Sequence, residues 1–521
     1  MSFYLNKTKN NLSVISSLTS HLGKQAVVCL AALALAACSK DSEEVTPSPT
    51  GTGTPVSISS IPASTATAEG NTGTAANADD LLANSTFTST VLINFGSTVS
   101  ITNPLATSGV TITESNGDVV INATATGVEY VVSGTTTNGS VKVYSDKKFK
   151  LTLNGANLTN SDGPAINIQS SKRAFVVLAD NTTNSLTDGS TYTASGTEDQ
   201  KGTLFSEGQL IFSGAGSLSV KGNYKHAICS DDYVRVISGT ITVTGATSDG
   251  IHTNEAFIAD GGTLNITTAG DGIQCEEGYI VINAGTFAVN VADKGISATY
   301  DTDTTIDPYV TINGGTITVN SSAGEGIESK SVLTINGGII TVKTADDGLN
   351  AGTFIYINGG TTYAYSTGND GIDSNGKLTV TGGLTVSVGA GGAEEGFDCD
   401  NNTFKITGGT ILGIGGATSL PTASVTTQPA VKLGSGAANT LFHIQSSDGA
   451  EALTFLAPKA YTTMLFSSPK LKLAQTYTTY TGGSVAGTTD FNGLYTSGTY
   501  TPGTAATTFT TSTVVTQAGG R

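Results

Sequence analysis

A unit of about 23 residues recurs through most of the chain, and it constrains the fold more than any other feature. Each unit holds an acidic residue, a Gly, a large aliphatic residue, an apolar segment, a Gly-rich turn and an alternating segment. Glycines of the first row are separated by 22, 23, 31, 22, 23 and 25 residues: Gly250, Gly272, Gly295, Gly326, Gly348, Gly371 and Gly396. Glycines of the second row keep the same step: Gly239, Gly262, Gly285, Gly315, Gly338, Gly360, Gly383 and Gly409. Two markers with one period predict a solenoid of stacked coils.

The segments inside each unit are short and alternate between apolar and polar residues, as in TITVTG after Gly239. This alternation is typical of β-strands. One coil cannot bury its apolar side alone, so each strand has to pair with its counterparts in the coils above and below. The sequence therefore predicts an all-β right-handed parallel β-helix over 86–416, with a C-terminal β cap over 417–521.

Aligning the coils on the first-row Gly produces ladders of equivalent residues. The position after the Gly is apolar in every coil, from Leu204 to Phe397, and we expect it to point inward. The third position is small and includes Cys275 and Cys399, which we interpret as buried packing residues. The second position, between these two, is expected to face solvent because neighbouring strand residues point to opposite sides.

Carboxylates cluster in the same alignment, just before the first-row Gly and two places after it. Stacked coils bring equivalent residues about 4.8 Å apart, where like charges repel unless a cation or proton offsets them. Oxygen ligands in this arrangement suit Ca²⁺, while simple hydration of favoured Asp-Gly turns is the alternative. The candidate metal ligands are Asp249, Asp271, Asp293, Glu325, Asp346, Asp347, Asp370, Asp373, Glu395 and Asp398.

The repeat and its surroundings resemble a known family. The similarity extends over roughly 128–415 and is carried by Val128–Gly189, Lys201–Val220, His226–Thr253, the later Asp-Gly-Ile coils and Leu465–Gly483. The chain is similar to the bacterial carbohydrate-binding domain family typified by a cellulose- and pectin-binding parallel β-helix protein. The resemblance implies a right-handed β-helix, bound calcium and adhesion to plant-type or acidic polysaccharide without cleavage. It assigns calcium most directly to the acidic-Gly-Ile turns at Asp249, Asp271, Asp347 and Asp370, whereas Lys294 and Ala227 depart from that turn.

The N-terminal region is typical of a bacterial lipoprotein. An apolar run from Ala26 to Ala37 follows three lysines and ends in Leu-Ala-Ala before Cys38. We expect residues 1–37 to be a signal peptide and Cys38 to be lipidated. The Thr-, Ser-, Gly- and Pro-rich range 38–85 is expected to be a flexible tether. These features predict an outer-membrane lipoprotein exposed at the cell surface, with a lipid anchor as its membrane contact.

Charge and composition limit the classes of ligand that the protein can bind. With 24 basic against 41 acidic residues, the net charge is −17, which argues against a nucleic-acid ligand. Trp is absent, so sugar stacking has to rely on Tyr. A long coil inserts a loop beside the acidic rows, and its Tyr300, Asp301 and Asp303 are candidate carbohydrate-binding residues. We expect a monomer that binds cellulose or a pectin-like chain.

Two other functions remain open at this point. Calcium-dependent pectate lyases share the coil architecture, and such an enzyme needs a basic residue to remove the uronate α-proton. Lys294 is the candidate base, although a salt bridge to a neighbouring carboxylate is the common role of a surface Lys. The chain could also be a structural or adhesive surface protein. The non-catalytic polysaccharide binder is the function we expect, with no catalytic residue.

Overall fold

The structure is a computed structural model that describes residues 53–194, 196–300 and 302–519. These residues lie in one compact unit, Pro49–Arg521. The predicted signal peptide, Cys38 and Asp301 lie outside the described residues. Among the described residues no helix has the length and apolar character needed to cross a bilayer.

The chain winds as a parallel β-helix whose coils contribute strands to three ladders, as the 23-residue repeat predicted. Ladder 1 contains the strands that follow the first-row glycines. Its strands are Val110–Ser115, Asp118–Ala123, Ser140–Ser145, Ile166–Gln169, Gly202–Ser206, His226–Ser230, Ile251–Thr253, Ile273–Cys275, Ile296–Ala298, Ile327–Ser329, Leu349–Ala351, Ile372–Ser374 and Phe397–Asp398.

Ladders 2 and 3 lie before and after the second-row glycines. Ladder 2 contains Ala174–Leu178, Leu210–Gly214, Tyr233–Val236, Ala256–Ala259, Tyr279–Ile282, Tyr309–Ile312, Val332–Ile335, Phe354–Ile357, Lys377–Val380 and Phe404–Ile406. Ladder 3 contains Thr183–Thr187, Ser217–Gly222, Thr240–Ala246, Thr263–Thr268, Thr286–Val291, Thr316–Ser321, Ile339–Thr344, Thr361–Ser366, Leu384–Val388 and Thr410–Gly415. The opening coils use Ser89–Phe95, Val128–Thr136 and Phe149–Thr159, with Ser100–Thr102 paired antiparallel to the first of these.

The register within ladder 1 is the one that the sequence alignment predicted. Ile228, Ile251 and Ile273 pair directly, and the same column continues through buried aliphatic residues to Phe397. The column of small residues is also buried, and the thiols of Cys229, Cys275 and Cys399 are free and buried within it or beside it. The stacked columns form one continuous hydrophobic core.

The two glycine rows are required for different physical reasons. Gly315, in the second row, has φ +91°, a left-handed conformation that a residue with a side chain adopts only at a cost. Gly326, in the first row, has no such angle, but a Cβ there would lie 2.0 Å from Cγ1 of Val342. The first-row glycines therefore let one ladder approach another closely, which brings the residues on both sides of each Gly to the edge of the helix.

The C-terminal end of the helix is covered by β-structure, in agreement with the predicted cap. Thr463–Ser467 pairs antiparallel with the last strand of ladder 3 and with Ala430–Leu433, which also pairs with Val515–Gln517. A separate five-stranded sheet contains Val56–Ile58, Leu441–Ser446, Glu451–Leu456, Thr476–Phe491 and Leu494–Thr510. Covering the end of a solenoid protects its open strand edge from pairing with other chains.

Residues 59–84, here called the strap, differ from the flexible tether predicted for 38–85. The strap runs along ladder 2 and contains two short 3₁₀ helices, Ala78–Asp80 and Leu82–Asn84. A column of asparagines two places before the second-row glycines holds its backbone. The side-chain amides of these asparagines donate to strap carbonyls at 2.7–2.9 Å: Asn283 to Thr74, Asn313 to Gly73, Asn336 to Asn71 and Asn358 to Glu69. Low-complexity composition suggested disorder, but these bonds fix the segment.

Candidate metal and polysaccharide site

The predicted carboxylates form one column along ladder 1, here called the acidic edge. It comprises the residues just before and two places after the first-row glycines, together with two residues that hold the same positions around Ala227, namely His226 and Cys229. The others are Asp249, His252, Asp271, Gln274, Lys294, Ser297, Glu325, Glu328, Asp347, Asn350, Asp370, Asp373, Glu395 and Asp398. The expectation that the second position faces solvent is wrong, since His252 and Glu328 are buried and Asp373 is half-buried. Side chains before the Gly fold over the turn and cover that position.

One carboxylate oxygen of each buried Asp before the Gly has a structural role. Oδ1 of Asp249 accepts the backbone N–H of Asp271 at 3.1 Å, and Oδ1 of Asp271 accepts that of Lys294 at 2.9 Å. Oδ1 of Asp347 accepts the N–H of Asp370 at 2.9 Å. Each carboxylate thus joins its coil to the next through one oxygen. Its second oxygen can then contact the side chain two places after the Gly.

Asp347, Asp370 and Asp373 converge on one point of the acidic edge. One oxygen from each carboxylate lies within 4.8 Å of an oxygen from each of the others. The side-chain amide of Asn350 donates to Oδ2 of Asp347 at 2.9 Å and to Oδ2 of Asp373 at 3.0 Å. In the described part of the chain, no Lys, Arg or His forms an ion pair with these three carboxylates.

Burial and mutual repulsion raise the pKa of all three carboxyl groups in this cluster. Burial, together with the charges of Asp346 and Glu325, raises the pKa of Asp347 to about 6. Burial and the charge of Asp347 raise the pKa of Asp370 to about 7, and burial with both neighbours raises that of Asp373 to about 8. A bound cation would relieve this repulsion.

His226, Asp249 and His252 form a second cluster near the other end of the acidic edge. Oδ2 of Asp249 lies 3.1 Å from Nδ1 of each histidine, and the imidazole rings stack with centroids 4.2 Å apart. Burial lowers the pKa of His226 to about 4. Burial also opposes protonation of His252, but its bonds to Asp249 and Glu276 outweigh that and raise its pKa to about 9. Burial alone would raise the pKa of Asp249, whereas the two histidines hold it well below its usual range.

Lys294 neutralises the carboxylates between the two clusters. Its ammonium forms ion pairs with Glu328 and, at 3.6 Å, with Glu325, rather than with Asp271 or Asp293. Burial favours the neutral amine, but the hydrogen bond and charge of Glu328 prevail, so the pKa of Lys294 is raised. Glu325 is therefore already partnered by a cation supplied by the protein.

The other predicted metal ligands are distributed along the same edge. Asp271 is buried with a pKa raised to about 7 by burial and by Asp249, while Asp293 is exposed. Asp346 accepts the side-chain amide of Asn369 at 2.8 Å. Glu395 and Asp398 both bind Ser419 and line a polar cleft of about 500 Å³.

The predicted sugar contacts lie in the loop of the long coil. Tyr300 is exposed there, and Oδ1 of Asp303 accepts the backbone N–H of Thr305 at 2.9 Å. Sequence reasoning missed a second aromatic surface formed by Tyr192 and Tyr224, whose rings stack with centroids 4.1 Å apart. Tyr224 is 43% exposed and precedes the ladder 1 strand that starts at His226. A Tyr between Asn223 and Lys225, in a polar turn just before the acidic edge, is the sequence signal that could have found it.

The chemistry of the Asp347–Asp370–Asp373 cluster fits a hard divalent cation. Ca²⁺ takes about six to eight oxygen ligands, and three carboxylates supply only part of that number. The half-buried Asn350 and Asp373 mark the side of the cluster that meets solvent. Oxygens of water or of a bound sugar could complete the coordination there.

Comparison with known proteins shows a match to one family. Residues 115–371 match the family model described as carbohydrate-binding domain-containing protein. A protein of that name from Acetivibrio thermocellus is 32% identical over 118 residues, which are 22% of this chain and 41% of the relative. The chain thus matches about two fifths of the length of that curated relative. A solved structure, the gadolinium derivative of a polysaccharide lyase-like protein from C. thermocellum, has a TM-score of 0.35 and 20% identity, and covers 57% of this chain and 99% of the other. Residues 115–371, just under half of the chain, are thus similar to the family of carbohydrate-binding domain-containing proteins.

Proposed function

We propose that this protein is a non-catalytic polysaccharide binder that uses Ca²⁺ held by Asp347, Asp370 and Asp373. The observation that carries the proposal is the convergence of three carboxylate oxygens within 4.8 Å, without a basic partner among the described residues. Similarity to that family supports a polysaccharide as the ligand. Cellulose and acidic pectin-like chains are the candidate ligands, and the protein acts as a lipid-anchored protein of the cell surface.

The roles of the side chains follow from their positions. Asp347 and Asp370 fix neighbouring coils through their backbone bonds and turn their other oxygens toward the cluster, while Asp373 lies on the solvent side. A bound calcium ion supplies positive charge that protein carboxylates and the carboxylate of an acidic sugar can share. Acidic chains are then bound through the cluster in spite of the net charge of −17.

Neutral sugar rings require an apolar contact instead of a charge. The exposed face of Tyr224, supported from behind by Tyr192, offers such a contact. Tyr300 is a second exposed ring, in the loop of the long coil. These residues favour binding of a chain along the edge of the helix, where strands of ladder 1 repeat at a regular spacing.

The environment of Lys294 supports the non-catalytic proposal over a lyase. A general base has to be deprotonated near neutral pH, and active sites achieve this by lowering the pKa of a Lys. Lys294 is held between Glu325 and Glu328, which raise its pKa and stabilise the protonated form. Incubation with polygalacturonate and calcium should therefore give no increase in unsaturated product.

Retention by insoluble polysaccharide tests the proposal. The protein is incubated with calcium-free pectin beads or cellulose, with added calcium or with chelator. We expect calcium to increase retention on pectin, and we expect Asp370→Asn to abolish that increase. Tyr224→Ala should reduce retention on cellulose.

Asp448→Asn is the matched control, because Asp448 is an exposed carboxylate in a turn of the C-terminal sheet. This variant should behave like the unmodified protein on both supports. Retention that is equal in calcium and chelator, and equal for Asp370→Asn, would contradict calcium-mediated binding. Absence of retention on every polysaccharide would favour a structural or adhesive role.

A further inference from the structure

We propose that His226, Asp249 and His252 form a second metal site, selective for a divalent transition metal of borderline softness such as Zn²⁺. The three residues occupy the same positions of two consecutive coils as Asp347, Asp370 and Asp373. His226 precedes Ala227, which takes the place of the first-row Gly in its coil, Asp249 precedes Gly250, and His252 lies two places after that Gly. The fold therefore repeats one ligand arrangement with a different set of donor atoms.

Three pairs of donor atoms in the histidine cluster lie close to ligand-to-ligand distances. Oδ2 of Asp249 is 3.1 Å from Nδ1 of His226 and 3.1 Å from Nδ1 of His252. Oε1 of Gln274 is 3.0 Å from Nδ1 of His252 and supplies a fourth donor. In a tetrahedral zinc site with bonds of about 2.0–2.1 Å, neighbouring ligand atoms are about 3.3 Å apart. The ligand atoms of His226, Asp249 and His252 all lie within 4.8 Å of one another, so one ion could reach all three, with Gln274 beside His252.

A second layer of contacts orients His252 for metal binding. Nε2 of His252 lies 3.1 Å from a carboxylate oxygen of Glu276, so Nε2 carries the proton. Its Nδ1 then faces two oxygens, from Asp249 and Gln274, and the carboxylate of Asp249 brings negative charge to this point. A carboxylate behind the distal nitrogen is the usual arrangement of a metal-binding His.

His226 presents its Nδ1 to the same point. In the tautomer that carries its proton on Nε2, the lone pair of Nδ1 accepts the backbone N–H of Asp249 at 3.3 Å, a long bond. The lone pair also faces Oδ2 of Asp249, so two electron-pair donors are in contact. A metal ion at this point could accept electron pairs from both donors. The buried Nε2 of His226 lacks a hydrogen-bond partner among the described residues.

The difference between the clusters predicts their selectivity. Two imidazole nitrogens and one carboxylate suit Zn²⁺, Cu²⁺ or Ni²⁺, while three carboxylates suit Ca²⁺ or Mg²⁺. The competing explanation is that His252 is simply an imidazolium that donates one proton to Asp249 and one to Glu276. Both explanations satisfy the same atoms, and metal titration separates them.

The test is a calorimetric titration of Zn²⁺ into full-length protein without an added histidine tag, in excess Ca²⁺. We expect one zinc ion to bind per chain at this cluster. His252→Gln should abolish that binding, and Glu276→Gln, which leaves all four donors in place, should weaken it by about 10- to 100-fold. Co²⁺ bound in place of Zn²⁺ should give the visible absorption of a site with nitrogen and oxygen ligands.

Asp373→Asn is the matched control, since it changes the equivalent position of the other cluster. It should leave zinc affinity unchanged, while His252→Gln should leave the calcium response unchanged. Circular dichroism establishes that each variant is folded. Zinc binding that is unaffected by both His252→Gln and Glu276→Gln would overturn the proposal, as would displacement of zinc by excess Ca²⁺. A protein that binds no zinc with these residues intact would show that the cluster holds an imidazolium only.

Discussion

Oδ1 of Asp80 accepts a hydrogen bond of 2.7 Å from Nε of Arg173, which lies 93 residues later in the chain, just before a ladder 2 strand. The Asp80 carboxylate also contacts Arg235 at 3.3 Å, and both Asp80 and Arg235 are buried. The strap is therefore fastened to the β-helix by a buried ionic contact at this end. Loss of one charge from such a group leaves the others without compensation.

Asp80→Asn should destabilise the protein by about 2 kcal/mol, because Asn cannot neutralise the two guanidinium groups. Arg235 keeps its other partner, Asp260, at 2.7 Å, which limits the loss. Urea unfolding measures the effect. Asp79→Asn is the control, since Asp79 is the exposed neighbour in the same 3₁₀ helix and should change the stability little. Equal stabilities for the two variants would show that the buried contact does not hold the strap.

The asparagine column makes a second prediction about the strap. The side-chain amide of Asn336 donates to the carbonyl of Asn71 and to Oδ1 of Asn313, each at 2.8 Å. Asn336→Asp replaces this donor by a carboxylate that faces two oxygens, which should cost about 2 kcal/mol locally. Hydrogen exchange of the Asn71 amide, which donates to Thr334, should become about 30-fold faster.

A matched control exists on another face of the helix. The side-chain amide of Asn320 donates to Oδ1 of Asn290 at 2.9 Å, and this exposed pair does not contact the strap. Asn320→Asp should leave exchange of the Asn71 amide unchanged. If both variants accelerate this exchange equally, the effect is not transmitted through the asparagine column.

The carboxylate cluster predicts opposite effects of one substitution in two buffers. In chelator at about pH 9, where all three carboxyl groups are ionised, Asp373→Asn should raise the stability of the protein, because it removes one of three repelling charges and keeps an acceptor for Asn350. In calcium, the unmodified protein should gain about 2.7 kcal/mol at a concentration of 100 times Kd, and the variant should lose most of this gain. Thermal and urea unfolding in both buffers measure the two effects. A stability of the unmodified protein that does not respond to calcium would contradict a metal at this cluster.

The sequence predicted the register of the acidic edge but not its burial. A constant step of 22 or 23 residues aligned Asp347 with Asp370, and the strand pairing has that alignment. Strand alternation suggested that the position of His252 faces solvent. This expectation failed because alternation describes one strand and not the turn beside it. The turn carries Asp249 over that position, where its second oxygen meets His252.

The strap shows a different limit of sequence reasoning. The asparagine column from Asn283 to Asn358 is visible in the sequence at the same step as the glycines. Nothing in the sequence indicates its partner, because backbone carbonyls of the strap are the acceptors and any sequence supplies those. Composition and periodicity therefore cannot predict long-range contacts in which one partner is a backbone atom.

The buried His443 of the C-terminal sheet predicts a pH dependence that is independent of the metal clusters. Its ring stacks on Tyr500 with centroids 3.9 Å apart, and Nδ1 lies 2.8 Å from Oγ1 of Thr454. Burial, with a smaller contribution from the charge of Lys470, lowers the pKa of His443 to about 3. Since the unfolded chain protonates His near pH 6.5, the folded state binds fewer protons, and stability is lost as the pH falls from about 6.5 toward 3.

At pH 5 this loss should amount to about 2 kcal/mol relative to pH 8. His443→Phe removes the titrating group and keeps an aromatic ring against Tyr500. Other groups titrate in both proteins and cancel when the two are compared at each pH. The stability of the unmodified protein minus that of the variant should therefore fall by about 2 kcal/mol between pH 8 and pH 5. A constant difference would mean that His443 is protonated equally easily in the folded and unfolded chains, and hence that solvent reaches its ring.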